Sequence, residues 1–202
     1  MRIIEQIKSL KGAIITVRTD KKSNIILVGF MGSGKSSLLK LLKGEDVIGR
    51  NLARLLNYDF ADTDDAIRDV TGMDLPKLFH KHGEIRFRSE EKLVISKLAK
   101  KQHQVIACGG SFIPAKDSLD LLLEDGYFVL LTAPPEVIHN RIARKNNRLL
   151  PYGKPSIEDI TKMLAERQQC FAGLSHISVD TGKMGVDEAA EYIASQYRAY
   201  LN

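Results

Sequence analysis

Gly29-Phe30-Met31-Gly32-Ser33-Gly34-Lys35-Ser36 sets glycines, a lysine and a serine at the spacing G-x-x-x-x-G-K-[ST]. Glycines let the backbone curl until several N–H groups point at one anion. A lysine at this place reaches the β- and γ-phosphates of a nucleotide, and the hydroxyl after it reaches Mg2+. The apolar run Ile25-Ile26-Leu27-Val28 leads straight into the loop. A buried strand, a glycine loop and then a helix is the context that makes the pattern a phosphate site. The helix adds unpaired N–H groups and the positive end of its dipole. Gly29, Gly32, Ser33, Gly34, Lys35, Ser36 and Ser37 are therefore candidate nucleotide-binding residues, with Ser36 also a metal ligand.

Three further segments carry chemistry. Phe60-Ala61-Asp62-Thr63-Asp64-Asp65 gathers carboxylates behind a second apolar run. At a strand end beside a phosphate loop they can hold Mg2+ water or orient a hydroxyl; helix capping by Asp62 or Thr63 is the competing use. In Gly83-Glu84-Ile85-Arg86-Phe87-Arg88-Ser89-Glu90-Glu91, Arg88 stands four residues after Glu84 and three before Glu91. On a helix both carboxylates reach its guanidinium, either as a surface ion-pair ladder or as an arginine pre-set to grip a carboxylate ligand. Ala107-Cys108-Gly109-Gly110 ends a third apolar run, and paired glycines there let backbone approach a ligand.

Bulk properties narrow the function class. The chain has 202 residues, which suits one domain with a sizeable core. No apolar run approaches the roughly 18 residues needed to span a bilayer. Glu5, Gln6, Lys8 and Lys11 interrupt any signal-peptide core. Cys108 and Cys170 have no metal or redox spacing, which points to a reducing cytoplasm. The net charge of +5, with no Trp and no dense basic stripe, argues against a nucleic-acid surface. The local excess of Arg141, Arg144, Lys145, Arg148 and Lys154 suits a small polyanion beneath a mobile loop.

The elements that must position these groups alternate from residue 24 onward, which predicts a parallel sheet covered on both faces. Strands are read at Ile25–Val28, Tyr58–Ala61, Gln104–Cys108, Tyr127–Leu131 and Ile177–Val179. Phe87, Val94 and Leu98 keep helical spacing after Gly83, and Val186 through Leu201 form a final amphipathic helix. An unbroken helix over Ser36–Asn57 would run about 33 Å, against about 17 Å for a neighbouring strand. Two helices are therefore expected, with Gly44 closing the first and Asp46 capping the second. Residues 1–23 read as an N-terminal extension, with a short helix over 3–10 and a short strand over Ala13–Val17. The polar stretch Arg144–Pro155 carries Pro151, Gly153 and Pro155 and reads as a functional loop.

Taken in order, these residues resemble the shikimate kinase family. The loop Gly29–Ser36, Asp62-Thr63-Asp64, Gly83-Glu84…Phe87-Arg88…Glu91, Gly109-Gly110, Arg144…Arg148-Leu149-Leu150 and Glu166-Arg167…Phe171 are similar to that family's motifs in the same sequence order. Val179-Asp180-Thr181 is similar to the start of its adenine-contacting loop. The resemblance implies a three-layer α/β/α P-loop NTPase fold over residues 24–202, with a central five-stranded parallel sheet and a lid near 144–158. It implies transfer of the ATP γ-phosphoryl group to the 3-hydroxyl of shikimate, with Mg2+, in the route to chorismate and the aromatic amino acids. By matched position, Lys35, Asp64 and Arg148 are catalytic. Asp64, Arg88, Gly109, Gly110 and Arg167 bind shikimate. Arg144 and Asp180 join the loop residues on the nucleotide, and Ser36 and Asp62 serve the metal. A cytoplasmic monomer with no nucleic-acid or membrane partner is expected. Ser111 stands where the family usually has a third glycine, the lid reads Arg148-Leu149-Leu150-Pro151, and an insertion follows Ser36. Two other readings remain open: a P-loop kinase of another small hydroxy acid or polyol, and a non-catalytic nucleotide-binding module.

Overall fold

The computed structural model describes residues 21–35, 47–110, 116–143, 155–171 and 173–202. The strands are β1 (Asn24–Gly29), β2 (Asp59–Asp62), β3 (Gln104–Ala107), β4 (Gly126–Thr132) and β5 (Ile177–Asp180). They form one sheet in the order β2-β3-β1-β4-β5, with every neighbouring pair parallel. Each strand lies within a residue or two of its sequence reading; β1, β3 and β4, buried on both faces, are written as near-continuous apolar text.

Helices α1 (Ile48–Leu56), α2 (Thr63–Thr71), α3 (Leu75–Leu98), α4 (Lys116–Asp125), α5 (Pro135–Ala143), α6 (Ile157–Phe171) and α7 (Val186–Leu201) connect the strands. Alternation along β1 divides the core in two. Ile25 and Leu27 pack with Ile48 and Leu52 of α1 and Ile193 and Tyr197 of α7. Ile26 and Val28 face the other way, toward Ile95 of α3, Leu119 and Leu122 of α4, and Phe171 of α6. The three layers follow from period-two side-chain alternation meeting helices on both sides.

Local chemistry departs from expectation in three places. Helix α1 is capped by Val47 in extended backbone, with no side-chain bond, so Asp46 is not its cap. Helix α3 starts before Gly83 and bends there, at φ 75° and ψ 177°. Val186, counted on the apolar face of α7, is 37% exposed at the first turn. The expected helix ending at Gly44, the N-terminal helix and strand, and residues 144–154 of the lid expected near 144–158 lie outside the described residues, while Ile157 and Glu158 at its end already belong to α6.

Candidate active site

Strand β1 delivers the chain into the glycine loop at the carboxyl edge of the sheet. Gly34 takes φ +95°, which L side chains rarely adopt. A Cβ on Gly29 would fall 2.9 Å from Ser33 Oγ and closer still to the Leu131 carbonyl, so the loop turns against β4 without room for a side chain. Lys35 curls back into its own loop. Its Nζ donates to the carbonyl oxygens of Gly29 at 2.5 Å and Phe30 at 2.9 Å, and to Ser33 Oγ at 3.3 Å. Only 5% of the residue is exposed. A phosphate oxygen entering this loop offers that ammonium a charged acceptor in place of neutral carbonyls. Ser36 and Ser37 lie outside the described residues.

Strand β2 ends in Asp62, whose Oδ1 accepts the N–H groups of Asp64 at 2.8 Å and Asp65 at 3.1 Å. This caps α2 and leaves Oδ2 outside the cap. The Asp64 carboxylate lies against the glycine pair that follows β3. A Cβ on Gly109 would meet Asp64 Cγ at 2.7 Å and Oδ2 at 3.0 Å. A Cβ on Gly110 would meet Met31 of the phosphate loop at 2.8 Å. The glycines are therefore the thin wall between the carboxylate and the phosphate loop. The Gly109 N–H donates to Thr63 Oγ1 at 2.9 Å, so this glycine has only its Cα and carbonyl left to offer a ligand.

Cys108 reports which charges meet at the end of β3. Burial pushes its thiol up strongly; Lys35 opposes that, and Glu91, Asp62 and Asp64 add to it. Glu91 ties Arg88 to this group, accepting from Nη1 at 2.7 Å, while Glu84 stands 3.5 Å from Nε. Burial raises the Glu91 carboxyl above its usual range against the pull of Arg88. The guanidinium is thus aimed by two carboxylates on one helix face, as the spacing predicts, and Nη2 takes part in neither pair.

At the other end of the loop, Arg141 of α5 bridges two segments. Its Nη1 donates to the Gly32 carbonyl at 3.0 Å and to Thr181 Oγ1 at 2.9 Å, and Nη2 donates to the Thr181 carbonyl at 2.7 Å. Desolvation pulls its pKa down, and Asp180 pulls it up. Sequence reasoning counted Arg141 among several basic residues and assigned it no site, since nothing in that run marks which cation turns inward. Asp180 shapes its own turn, accepting the Gly182 N–H at 2.9 Å with Lys183 at 3.7 Å. Arg144, Arg148 and Ser111 lie outside the described residues; α6 carries Arg167, whose side chain is likewise not described.

The shikimate kinase family model matches residues 31–198. The chain belongs to the shikimate kinase family. The shikimate kinase of Pelotomaculum thermopropionicum is 42% identical over 170 residues, covering 84% of this chain and 92% of its own length. The solved shikimate kinase from Acinetobacter baumannii in complex with shikimate is 30% identical, with a TM-score of 0.76 over 88% of this chain and 94% of that one. The crystal structure of shikimate kinase from Aquifex aeolicus gives a TM-score of 0.69 at 29% identity, over 87% of this chain and 98% of that one. The five-stranded parallel sheet and its helical layers are thus those of shikimate kinases.

Proposed function

We propose that this shikimate kinase family member transfers the γ-phosphoryl group of ATP to the 3-hydroxyl of shikimate, releasing ADP and shikimate 3-phosphate. The observation that carries this reading is the Asp64 carboxylate set against Gly109 while Gly110 meets Met31 of the loop that holds Lys35. The glycine wall there separates a carboxylate from the phosphate loop. Phosphoryl transfer asks for in-line positioning and neutralisation of spread charge.

In this reading Gly29, Gly32, Ser33, Gly34, Ser36 and Ser37 cradle the nucleotide phosphates, and Arg144 and Asp180 flank the base side. Asp64 holds the acceptor hydroxyls beside Gly109 and Gly110. Arg88 and Arg167 grip the acceptor carboxylate. The bond from the γ-phosphorus to the bridging oxygen of ADP breaks as the bond to the 3-oxygen forms. The hydroxyl proton passes to Asp64, whose carboxylate lies against Gly109. Lys35 leaves its loop carbonyls for the transferring phosphate, and Arg148 closes with the lid over 144–158, excluding water.

Among the described residues no group of three or more His, Cys, Asp or Glu gathers to hold a metal ion. Mg2+ ordinarily keeps several waters and takes one or two carboxylates plus substrate phosphates, so a single open carboxylate oxygen suits it. Asp62 Oδ2, at the carboxyl end of β2, offers that oxygen, with Ser36 as the hydroxyl partner. When bound, the ion supplies positive charge at the phosphates. We place the enzyme in the cytoplasm as a monomer; both cysteines are free, and no helix among the described residues is long and apolar enough to cross a membrane.

The test is coupled ADP release with shikimate, quinate, gluconate or no acceptor. Shikimate should be turned over fastest, and Lys35→Ala should abolish that turnover. Preference for gluconate would move the enzyme to another small hydroxy acid. Nucleotide binding with no acceptor-dependent ADP release would make the chain a binding module.

A further inference from the structure

Beyond their last paired residues, Asp62 and Ala107, strands β2 and β3 part into α2 and the glycine turn. On one side of the turn the Cys108 N–H still reaches the Leu27 carbonyl of β1 at 3.0 Å. On the other side β2 has no carbonyl left to offer, and a side chain takes its place. Thr63, 1% exposed, accepts the Gly109 N–H on Oγ1 at 2.9 Å. That hydroxyl is not needed for capping, since Asp62 already accepts from both Asp64 and Asp65.

The bond has a consequence at the next atom. Gly109 Cα is the surface against which the Asp64 carboxylate lies, close enough that any Cβ would strike it. Gly110 continues directly onto Met31 of the phosphate loop. Asp64, the glycine turn and the phosphate loop are therefore stacked without slack. On the β2 side the Thr63 hydroxyl ties this turn by a side-chain-to-backbone hydrogen bond. We propose that Thr63 is a positioning residue for the acceptor: its hydroxyl holds the glycine turn at the distance from Asp64 that the acceptor alcohol requires. This rests on the shikimate reading of the site.

Loss of the hydroxyl leaves a buried N–H without a partner, and the turn must move to satisfy it. Displacements of about 1 Å at a reacting centre can cost on the order of 100-fold in rate. The bond lies on the acceptor side of the glycine wall, so the nucleotide should be spared. The experiment compares Thr63→Val, which keeps the shape and removes the acceptor oxygen, with Thr63→Ser, which keeps the oxygen. Steady-state kinetics for each substrate and thermal unfolding are measured for both.

Thr63→Val is expected to lower kcat/KM for shikimate by about 10- to 100-fold. Its KM for ATP should stay within about twofold, and Thr63→Ser should stay close to the parent. If Thr63→Val yields no folded protein, Thr63→Ala replaces it under the same criteria. Unchanged shikimate kinetics in an active parent background overturn the inference alone. So does a joint rise of both KM values with a fall in Tm, which marks a general staple. Equal damage in Thr63→Ser also overturns it, by assigning the effect to the methyl group. A parent idle on shikimate overturns the proposed function itself, and the role of Thr63 with it.

Discussion

Arg88 is held in a way that separates its charge from its aim. Glu91, almost fully buried, takes Nη1; Glu84, mostly exposed, stands by Nε. The ring of Phe87 lies beneath the guanidinium, 5.2 Å from centroid to Cζ. An exposed ion-pair ladder contributes little, but this pair is backed by a buried carboxylate. Arg88→Ala is expected to cost about 2–5 kcal/mol of shikimate binding, read as a raised KM with ATP affinity retained. The same change strips Glu91 of its cation, leaving burial to raise its carboxyl further. A carboxyl raised on folding binds its proton more readily in the folded chain than in the unfolded one. Stability then rises as pH falls through the raised value. The stability deficit of Arg88→Ala should therefore shrink from pH 8 to the acid side, which a pH series of Tm values checks.

At the scale of elements, the bend in α3 sets where Arg88 points. Eight residues of straight helix separate two side chains by about 12 Å along the axis. Phe79 and Phe87 are eight apart, yet their rings stack at 4.4 Å, because Gly83 turns the chain between them. The first half of α3 folds back so that Leu78 joins Ile67, Phe87 and Val94 in one cluster. No atom lies within 4 Å of a Cβ placed on Gly83, so substitution is opposed by backbone conformation alone. Gly83→Ala should cost about 1–3 kcal/mol in stability and raise the KM for shikimate more than that for ATP. A variant with parental Tm and kinetics would show that the bend is not required. The bend also marks where sequence stopped being informative. The three central strands were legible because burial on both faces leaves near-continuous apolar runs in β1, β3 and β4, while the edge strands β2 and β5 show only short apolar stretches. The helix after Gly83 was legible from Phe87 and Val94. That Gly83 turns the preceding helical run back onto Phe87 was not, since a glycine's φ and ψ leave no mark in the neighbouring residue types. The site divides in the same way. Glycine spacing and the Glu84–Arg88–Glu91 spacing are local text. Thr63 on Gly109, and Arg141 between Gly32 and Thr181, join positions tens of residues apart that only the closed sheet brings together.

Across the whole molecule, a parallel sheet separates chemistry from anchoring. The phosphate loop, Asp64 and the glycine pair follow the carboxyl ends of β1, β2 and β3, and Gly29, Asp62 and Asp180 are the last residues of their strands. The amino ends carry a different set. Buried Lys22 donates to the last carbonyls of α4, Leu123 at 2.9 Å and Glu124 at 2.8 Å, where a cation is favoured. Tyr197 of α7 donates to the Lys22 carbonyl at 2.7 Å. His176, just before β5, completes this pole: its Nδ1 accepts the Phe128 N–H at 3.0 Å, and its own N–H reaches the Phe128 carbonyl at 2.9 Å. Tyr127 and Tyr200 flank the ring. A proton on Nδ1 would confront an N–H donor, and desolvation together with Lys22 lowers the imidazole pKa. The unfolded chain thus takes up this proton at higher pH than the folded one. The stabilisation is complete above the ordinary value of about 6.5 and is lost as pH falls through the lowered folded value. His176→Asn offers Phe128 an acceptor that does not titrate. Its Tm should fall less steeply than the parent's as pH drops below about 6.5. Its shikimate and ATP kinetics at neutral pH should be unchanged, because this ring bonds Phe128 in the amino-terminal half of β4, while the phosphate loop turns against Leu131 near the other end of that strand. A parallel pair of Tm curves would remove His176 from the acid response.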